Sequence, residues 1–343
     1  MKAAVVEQPG VLRVRDLPAP QIGPYEALCE LLYGAVCTGT DQHLLAGHFP
    51  WPVHYPTVLG HESIGRVVEV GPQVRHLAAG DLVTRVGLPA AADGTFHVHW
   101  GGFAELGVAR DWRAMQQDGV PAGQWRGHRI NQKLSAGTDP ASATMVITWR
   151  ETLSYSTRLG VGPGSRLLVL GSGGNGLAFA AHAAHLGAAS VVMVGHPGRQ
   201  ELARQVGATA FHDYRLSDVA AAIRQDGGQG FDYLIDAVGK AGQVDRVLGL
   251  VKPGGTVGIY GIDDYGACPI NPHRAGGSFT VYGGGYDEAE THEQVVALVQ
   301  AGRLRASGWL DLEHPFPLER IGEALEALRQ RRLVKALVRL TPG

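Results

Sequence analysis

Residues 167–199 read LLVLGSGGNGLAFAAHAAHLGAASVVMVGHPGR, and this stretch restricts the fold more than any other. An apolar run of strand length, 167–170, leads into Gly171-Ser172-Gly173-Gly174-Asn175-Gly176, which fits G-x-G-x-x-G. An alanine-rich, helix-favouring segment runs to Leu186, Gly187 stops it, and 190–194 forms a second apolar run. Strand, glycine turn, helix and strand within about 30 residues make a dinucleotide-binding unit. Gly171 allows the tight turn, Gly173 lets a pyrophosphate approach the backbone, and Gly176 lets the helix pack on the sheet. The pyrophosphate then meets the N–H groups of Gly174 and Asn175 at the positive end of the helix dipole. A glycine-rich loop in an ordinary α/β domain is the bland alternative, and the surrounding strand–helix–strand context argues against it.

The same stretch bears on which nucleotide. A site for NAD usually carries an acidic residue about 20 residues beyond the glycines, on the adenosine ribose. Here Val194 is followed by Gly195-His196-Pro197-Gly198-Arg199, with no carboxylate. A carboxylate would repel a 2′-phosphate, whereas Arg199 and His196 suit one, since guanidinium–phosphate pairing is strong and bidentate. NADP(H) is therefore the expected cofactor. The competing reading leaves Arg199 solvated and NAD loosely bound.

A length of 343 residues gives a prior of two domains, each able to bury a core. A net charge of −2 argues against a polyanion partner, and no apolar run reaches the roughly 18 residues of a membrane helix. The N-terminus runs straight into a strand-like segment, so no signal peptide is expected. Three cysteines, Cys29, Cys37 and Cys268, make no disulfide framework and fit a reducing cytoplasm.

Residues 1 to about 110 carry short strands with frequent Gly and Pro turn signals, the clearest at 1–6, 25–33 and 64–70. From about Asp139 helix and strand patterns alternate, the signature of a parallel sheet. Further strands are expected at 233–237, 256–260 and 279–282, with helices at 199–205, 219–225 and 243–250. The tail adds amphipathic helices at 288–301 and 318–330 and a closing strand at 334–340. Residues 111–133, rich in Gln, Gly, Arg and Trp, read as a long loop or insertion.

In the first domain, Cys37-Thr38-Gly39-Thr40-Asp41-Gln42-His43 and Gly60-His61-Glu62 stand out. Cys, His and Glu offer the sulfur, nitrogen and oxygen atoms that Zn²⁺ takes, and three protein ligands with one open place is the layout of catalytic zinc. Each residue alone is more often structural: a cysteine as a small buried hydrophobe, a His-Glu pair as a solvated one.

Beyond these residues the chain resembles the zinc-dependent alcohol and polyol dehydrogenases of the medium-chain dehydrogenase superfamily. The resemblance runs through 56–62 (PTVLGHE) with Gly65, Val70-Gly71, Gly80-Asp81, 101–105 (GGFAE), the glycine fingerprint, Asp236-Ala237-Val238-Gly239 and Leu333-Val334-Lys335. It implies a β-rich GroES-like catalytic domain over 1–149, to which 286–343 return, and a Rossmann doubly wound parallel-sheet NADP-binding domain over 150–285. It implies Cys37 and His61 as metal ligands, with Glu62 joining them or exchanging with water, and cofactor contacts at Thr152, Val238, Gly261 and Lys335.

Four departures from the family pattern carry their own expectations. Gly39 stands where a hydroxyl residue is usual. A one-residue insertion returns Thr40, Asp41 and His43 to register, as proton-accepting hydroxyl, orienting carboxylate and proton relay; the other alignment makes Thr38 the hydroxyl. Thr148 stands where a further ligand is usual, leaving it, Glu151 one helical turn on, or water for that place. The four-cysteine structural zinc lobe is missing, so His97 and His99 are expected to be surface residues and one zinc is expected rather than two. The insertion at 111–133 could serve substrate binding, a subunit contact, or only a loop.

The resemblance implies reversible hydride transfer between a secondary alcohol and NADP. Trp149 and Arg150, beside Glu62 in type, point to a hydroxyl-rich substrate such as a sugar, polyol or cyclitol; core packing for Trp149 and a surface charge for Arg150 are the plain alternatives. A simple secondary-alcohol dehydrogenase, a metal-free quinone or enoyl reductase of the same fold, and a non-catalytic nucleotide-binding protein remain as competitors. The family pattern also implies a homodimer or homotetramer formed through 278–284.

Overall fold

The strands expected near the N-terminus form, and they extend a few residues further than their patterns indicate. In chain order they are β1 (Lys2–Gln8), β2 (Val11–Asp16), β3 (Glu26–Val36), β4 (Thr57–Val58), β5 (Glu62–Val70), β6 (Leu82–Thr84), β7 (His97–Val98) and β8 (Leu106–Arg110). Interspersed are the short helices α1 (Thr40–Ala46), α2 (Trp112–Gln117), α3 (Ala122–Trp125) and α4 (Pro140–Ala143). The long helix α5 (Met145–Leu159) follows. The computed structural model describes residues 1–227, 230–267 and 269–341; Cys268 lies outside them.

Beyond α5 come β9 (Arg166–Leu170), α6 (Gly174–His185), β10 (Ser190–Gly195), α7 (Gln200–Gln205), β11 (Ala210–Asp213), α8 (Val219–Gly227), β12 (Phe231–Asp236), α9 (Gln243–Val247), β13 (Val251–Ile259) and β14 (Thr280–Tyr282). The tail is α10 (His292–Gln300), β15 (Phe316–Pro317), α11 (Ile321–Arg329) and β16 (Ala336–Arg339). Two units emerge, Met1–Ile147 with His292–Gly343, and Thr148–Thr291. No helix among the described residues is long and apolar enough to cross a membrane.

The first unit is built on two mainly antiparallel sheets, in which β4 pairs β7 and β15 pairs β16 in parallel. One runs β2-β1-β4-β7; the other runs β15-β16-β3-β5-β6, with β8 also on β3. Alternate residues Ala27, Cys29 and Leu31 of β3 are fully buried, the period of a sheet with one face on the core. β5 and β16 both run antiparallel to β3, with Ala35 opposite Glu62 and Val36 opposite Ala336. That register brings the end of β3, the start of β5 and the start of β16 to one place, and it delivers Cys37, Glu62 and Lys335 there.

The second unit is one parallel sheet in the order β11-β10-β9-β12-β13-β14. Order reverses between β9 and β12, the switch point outside whose carboxyl ends ligands bind in such sheets. Strands β9 and β10 are buried almost throughout, as a sheet covered on both faces requires. This doubly wound sheet and the mainly antiparallel first unit make up the α/β fold expected from the alternating pattern.

The insertion departs from expectation. Residues 111–133 are not a long loop but two short helices and a 3₁₀ turn, Arg126–Ile130. Asp111 caps α2 by accepting from Ala114 N (3.0 Å). Trp112 stacks on Trp125 with centroids 6.3 Å apart, and the two indoles donate to the carbonyls of Asn131 and Val120. Helices this short are unstable alone, so their own residues carry no periodic signal; packing makes them.

Candidate functional site

Cys37 follows the last residue of β3, and His61 precedes the first residue of β5. The ligand atoms of Cys37, His61 and Glu62 all lie within 4.8 Å of one another, and all three residues are buried. Asp41, fully buried in the first turn of α1, ties the two segments together. Its Oδ2 accepts from Cys37 N (2.8 Å), its Oδ1 accepts from Gly60 N (3.3 Å), and the same Oδ1 lies 3.7 Å from His61 Nδ1. This contact leaves His61 Nε2 turned to Glu62, 3.7 Å from Oε1.

The group fits a divalent cation on electrostatic grounds. Burial works against charge on His61, yet the pull of Asp41 and Cys37 prevails and pushes the imidazole up to about 10. Asp41 and the donor atoms of Cys37, His61 and Glu62 converge there, and sulfur, nitrogen and oxygen within 4.8 Å of one another are the donor set that a divalent cation such as Zn²⁺ takes.

Lys335 supplies a positive charge of its own. Its Nζ donates to Glu62 Oε1 (2.7 Å) and lies 2.5 Å from Oε2, with both side chains almost fully buried. Sequence reasoning assigned Lys335 to the cofactor; the structure puts it against the carboxylate of the ligand group. Their separation of 273 residues hides the pairing from the sequence.

Thr40 opens α1, with Oγ1 3.7 Å from Cys37 Sγ, whereas Thr38 is exposed. Of the two threonines, Thr40 is the one brought beside the thiol. His43, half-buried, lies one turn further along α1, on the face of Thr40.

In the second unit the glycine turn has the form its sequence requires. Gly171 has φ +104°, and a Cβ there would stand 2.8 Å from Val238 Cγ2. At Gly176 a Cβ would strike Gly171 O at 2.0 Å, whereas at Gly173 nothing lies within 4 Å, which leaves room for a phosphate. Gly174 and Asn175 begin α6. Asp236 ends β12 and accepts from the N–H groups of Val238 and Gly239 (2.9 and 3.0 Å), and Gly261 packs on Val238 so closely that a Cβ would sit 2.0 Å from its carbonyl carbon. Val238 and Gly261 thus share the carboxyl end of the sheet with the glycine turn.

His196 N donates to Ser172 Oγ (2.9 Å), and its ring accepts from Gly198 N to cap the turn Pro197–Arg199. Burial pushes the Arg199 guanidinium down from its ordinary value. Sequence reasoning missed the end of β11, whose Asp213 aligns with Gly195. There Tyr214 faces the His196 ring at 6.5 Å, and Arg215 pairs with Asp213 (2.6 Å). The short mixed run AFHD gave no strand signal by which to find them.

On α5 the expectations change. Trp149 is 1% exposed and belongs to the core. Arg150 is neither a substrate contact nor a surface charge: it is fully buried and donates to Glu288 Oε2 (2.6 Å). Glu151 is no exposed helix carboxylate, since it is 6% exposed and accepts from Tyr260 and Tyr286 (3.1 and 3.3 Å). Thr148 and Thr152 are fully buried, and the Thr152 hydroxyl donates to Thr148 O (2.7 Å), which leaves it only acceptor capacity. His97 and His99 are not free surface residues. Both are half-buried, His97 against the His54 ring (5.3 Å) and His99 against Phe49 (5.1 Å).

Comparison with known proteins accounts for both units. Residues 23–120 match the alcohol dehydrogenase GroES-like domain and residues 174–301 the zinc-binding dehydrogenase family. An L-threonine 3-dehydrogenase of Streptomyces coelicolor is 31% identical, covering 76% of this chain and 77% of its own. An L-galactonate-5-dehydrogenase of Escherichia coli is 28% identical over 98% of both chains. Among solved structures, a Sinorhizobium meliloti 1021 protein described as a zinc-binding dehydrogenase and solved bound to NADP superposes with a TM-score of 0.79, at 26% identity over 98% of each chain. With a relative this similar over three-quarters of its length and both halves matched, the chain belongs to the zinc-binding alcohol dehydrogenases of the medium-chain dehydrogenase superfamily.

Proposed function

We propose that the protein transfers hydride reversibly between a secondary alcohol, of the sugar, polyol or cyclitol class, and NADP. The observation that carries this reading is the buried Cys37–His61–Glu62 group, whose ligand atoms lie within 4.8 Å of one another, in a chain of an alcohol oxidoreductase family. When bound there, zinc would act as a Lewis acid toward the alcohol oxygen, and NADP would accept or return the hydride.

The chain's own residues do the rest. Asp41 orients His61 from behind, the usual device for fixing a ligand imidazole. Thr40 takes the alcohol proton and passes it to His43, one helical turn away. Glu62 divides its carboxylate between the cation site and Lys335. In the second unit Gly171, Gly173, Gly174, Asn175 and Gly176 receive the pyrophosphate, Val238 and Gly261 shape the adjoining wall, and Thr152 offers its lone pairs to the nicotinamide. Arg199 and His196 take the 2′-phosphate, in place of the acidic residue that NAD sites carry. The first unit is then the catalytic domain and the second the nucleotide domain.

Relatives that act on hydroxyl-rich acids or polyols, such as the L-galactonate-5-dehydrogenase, support the substrate class; a simple secondary alcohol is the second reading. The outermost position of β14, with Val281 54% exposed, supports assembly into a homo-oligomer through that edge, and the cysteine usage supports a cytoplasmic location. An NADP-coupled screen over sugars, cyclitols and secondary alcohols, run with zinc analysis of the same sample, tests the proposal. Turnover that survives complete removal of zinc overturns it.

A further inference from the structure

Arg85 combines two features that a chain normally avoids. It follows β6 with φ +57°, in the left-handed region that a residue other than glycine enters at a cost. It is also only 8% exposed, so a charged side chain is taken largely into the first unit. Residues kept in such a conformation cluster where a site needs them. Here the beneficiary is the ligand His61, whose carbonyl accepts from Arg85 Nη1 (3.0 Å). The guanidinium also faces the Trp100 ring, 6.0 Å from its centroid, and that ring packs on the His61 imidazole at 5.1 Å.

The conformation is held from two sides. Arg85 N donates to Ser63 O (2.8 Å), and Ser63 Oγ donates to Val86 O, which ties the turn to β5 just beyond His61. From the insertion, Asn131, itself buried, donates through Nδ2 to the carbonyls of Thr84 and Arg85 (3.3 and 3.0 Å). Asn131 is fixed in turn, since its Oδ1 accepts from Arg110 N on β8 (3.0 Å) and its carbonyl accepts from Trp112 Nε1 (3.2 Å). Asp41 already holds the His61 ring and the preceding Gly60 N–H. Arg85 grips the opposite end of the residue, the carbonyl, so a peptide rotation that would swing the imidazole is resisted on both sides.

We propose that Arg85 is a positioning residue for the metal ligand His61, kept by Asn131 of the insertion in a left-handed backbone that aims its guanidinium at the His61 carbonyl. The inference rests on the metal reading of Cys37, His61 and Glu62, and it gives the insertion a role at that centre. Glycine accepts the left-handed backbone, so Arg85→Gly removes the donor and relieves the strain together. Arg85→Met removes the donor, fills much of the same space and keeps the strain. Groups that orient a metal ligand typically contribute about ten- to a hundredfold in metal affinity, and one that acts through the backbone belongs at the lower end.

The test follows the rate of zinc release to a chelator and, in cobalt-loaded protein, the visible ligand-field bands that report coordination geometry. Both Arg85 variants should release zinc about tenfold faster than wild type and shift the cobalt bands. Asn131→Ala should speed release in the wild-type background and add nothing in Arg85→Gly, because it acts through the residue already removed. Should one Arg85 variant fail to fold, the other carries the comparison. Wild-type release and cobalt bands in a folded Arg85 variant overturn the proposal. So does an Asn131→Ala variant without effect, or one whose effect adds in full to that of Arg85→Gly. Wild-type protein that takes up neither zinc nor cobalt ends the metal reading itself, and the positioning role with it.

Discussion

Replacing Lys335 with Met takes away the cation against which Glu62 is buried. The lysine is 3% and the glutamate 1% exposed, with Nζ 2.7 Å from Oε1. At that separation and an effective dielectric constant of about 20, the attraction is about 6 kcal/mol. Desolvation of both groups offsets much of it, so exchanging the whole pair for apolar groups would cost little. Removing one partner is different, because the carboxylate stays behind in the interior, and such losses run to about 3–5 kcal/mol. His61, 3.7 Å from Glu62, softens the blow and favours the lower end. For a unit of this size, a loss of about 3 kcal/mol lowers the melting temperature by about 6–12 °C. The assay is thermal unfolding of zinc-stripped Lys335→Met and wild type at neutral pH, each repeated in a Glu62→Gln background and after adding zinc. Lys335→Met should be nearly silent beside Glu62→Gln, and zinc should stabilise it more than wild type, since the metal can take over the role of the lost cation. A drop of the same size with Glu62 already neutralised would refute the reasoning.

Cys37→Ser and His61→Ala should lose bound zinc and most turnover while circular dichroism stays native; a metal-free variant with undiminished turnover contradicts the assignment. Arg199→Ala should lower the preference for NADP over NAD about ten- to a hundredfold, the worth of a charge-assisted contact of about 1.5–3 kcal/mol, and wild-type kinetics favouring NAD would end that reading. His182, fully buried in α6, is pushed down to about 3 by burial and secondarily by His185. Its folded value lies below the unfolded one, so the unfolded chain binds the extra proton and stability falls as pH drops from about 6.5 toward 3, by about 2 kcal/mol at pH 5. His182→Leu should flatten that slope in urea unfolding between neutral pH and pH 5; an unchanged slope removes His182 as its source. Val281→Lys on the edge strand should shift the protein toward monomer in light scattering, and an unchanged mass would place assembly elsewhere.

The nucleotide unit was legible in the sequence because its signals are local. A strand-length apolar run, glycines spaced for a turn and an alanine-rich helix specify β9, Gly171 to Gly176 and α6 without reference to distant residues. The donor atoms that Cys37, His61 and Glu62 could offer a metal were readable for the same reason, since they follow from residue type. What the linear chain withheld depends on pairing across long separations. Only the register of β3 with β5 and β16 brings Lys335 to Glu62. Only packing decides that Trp149 is core, that Arg150 meets Glu288, and that His99 and Trp100 close around Phe49. A local pattern states what a residue can do; its neighbour is chosen by tertiary burial, where an unpaired charge or polar group is too costly to leave alone.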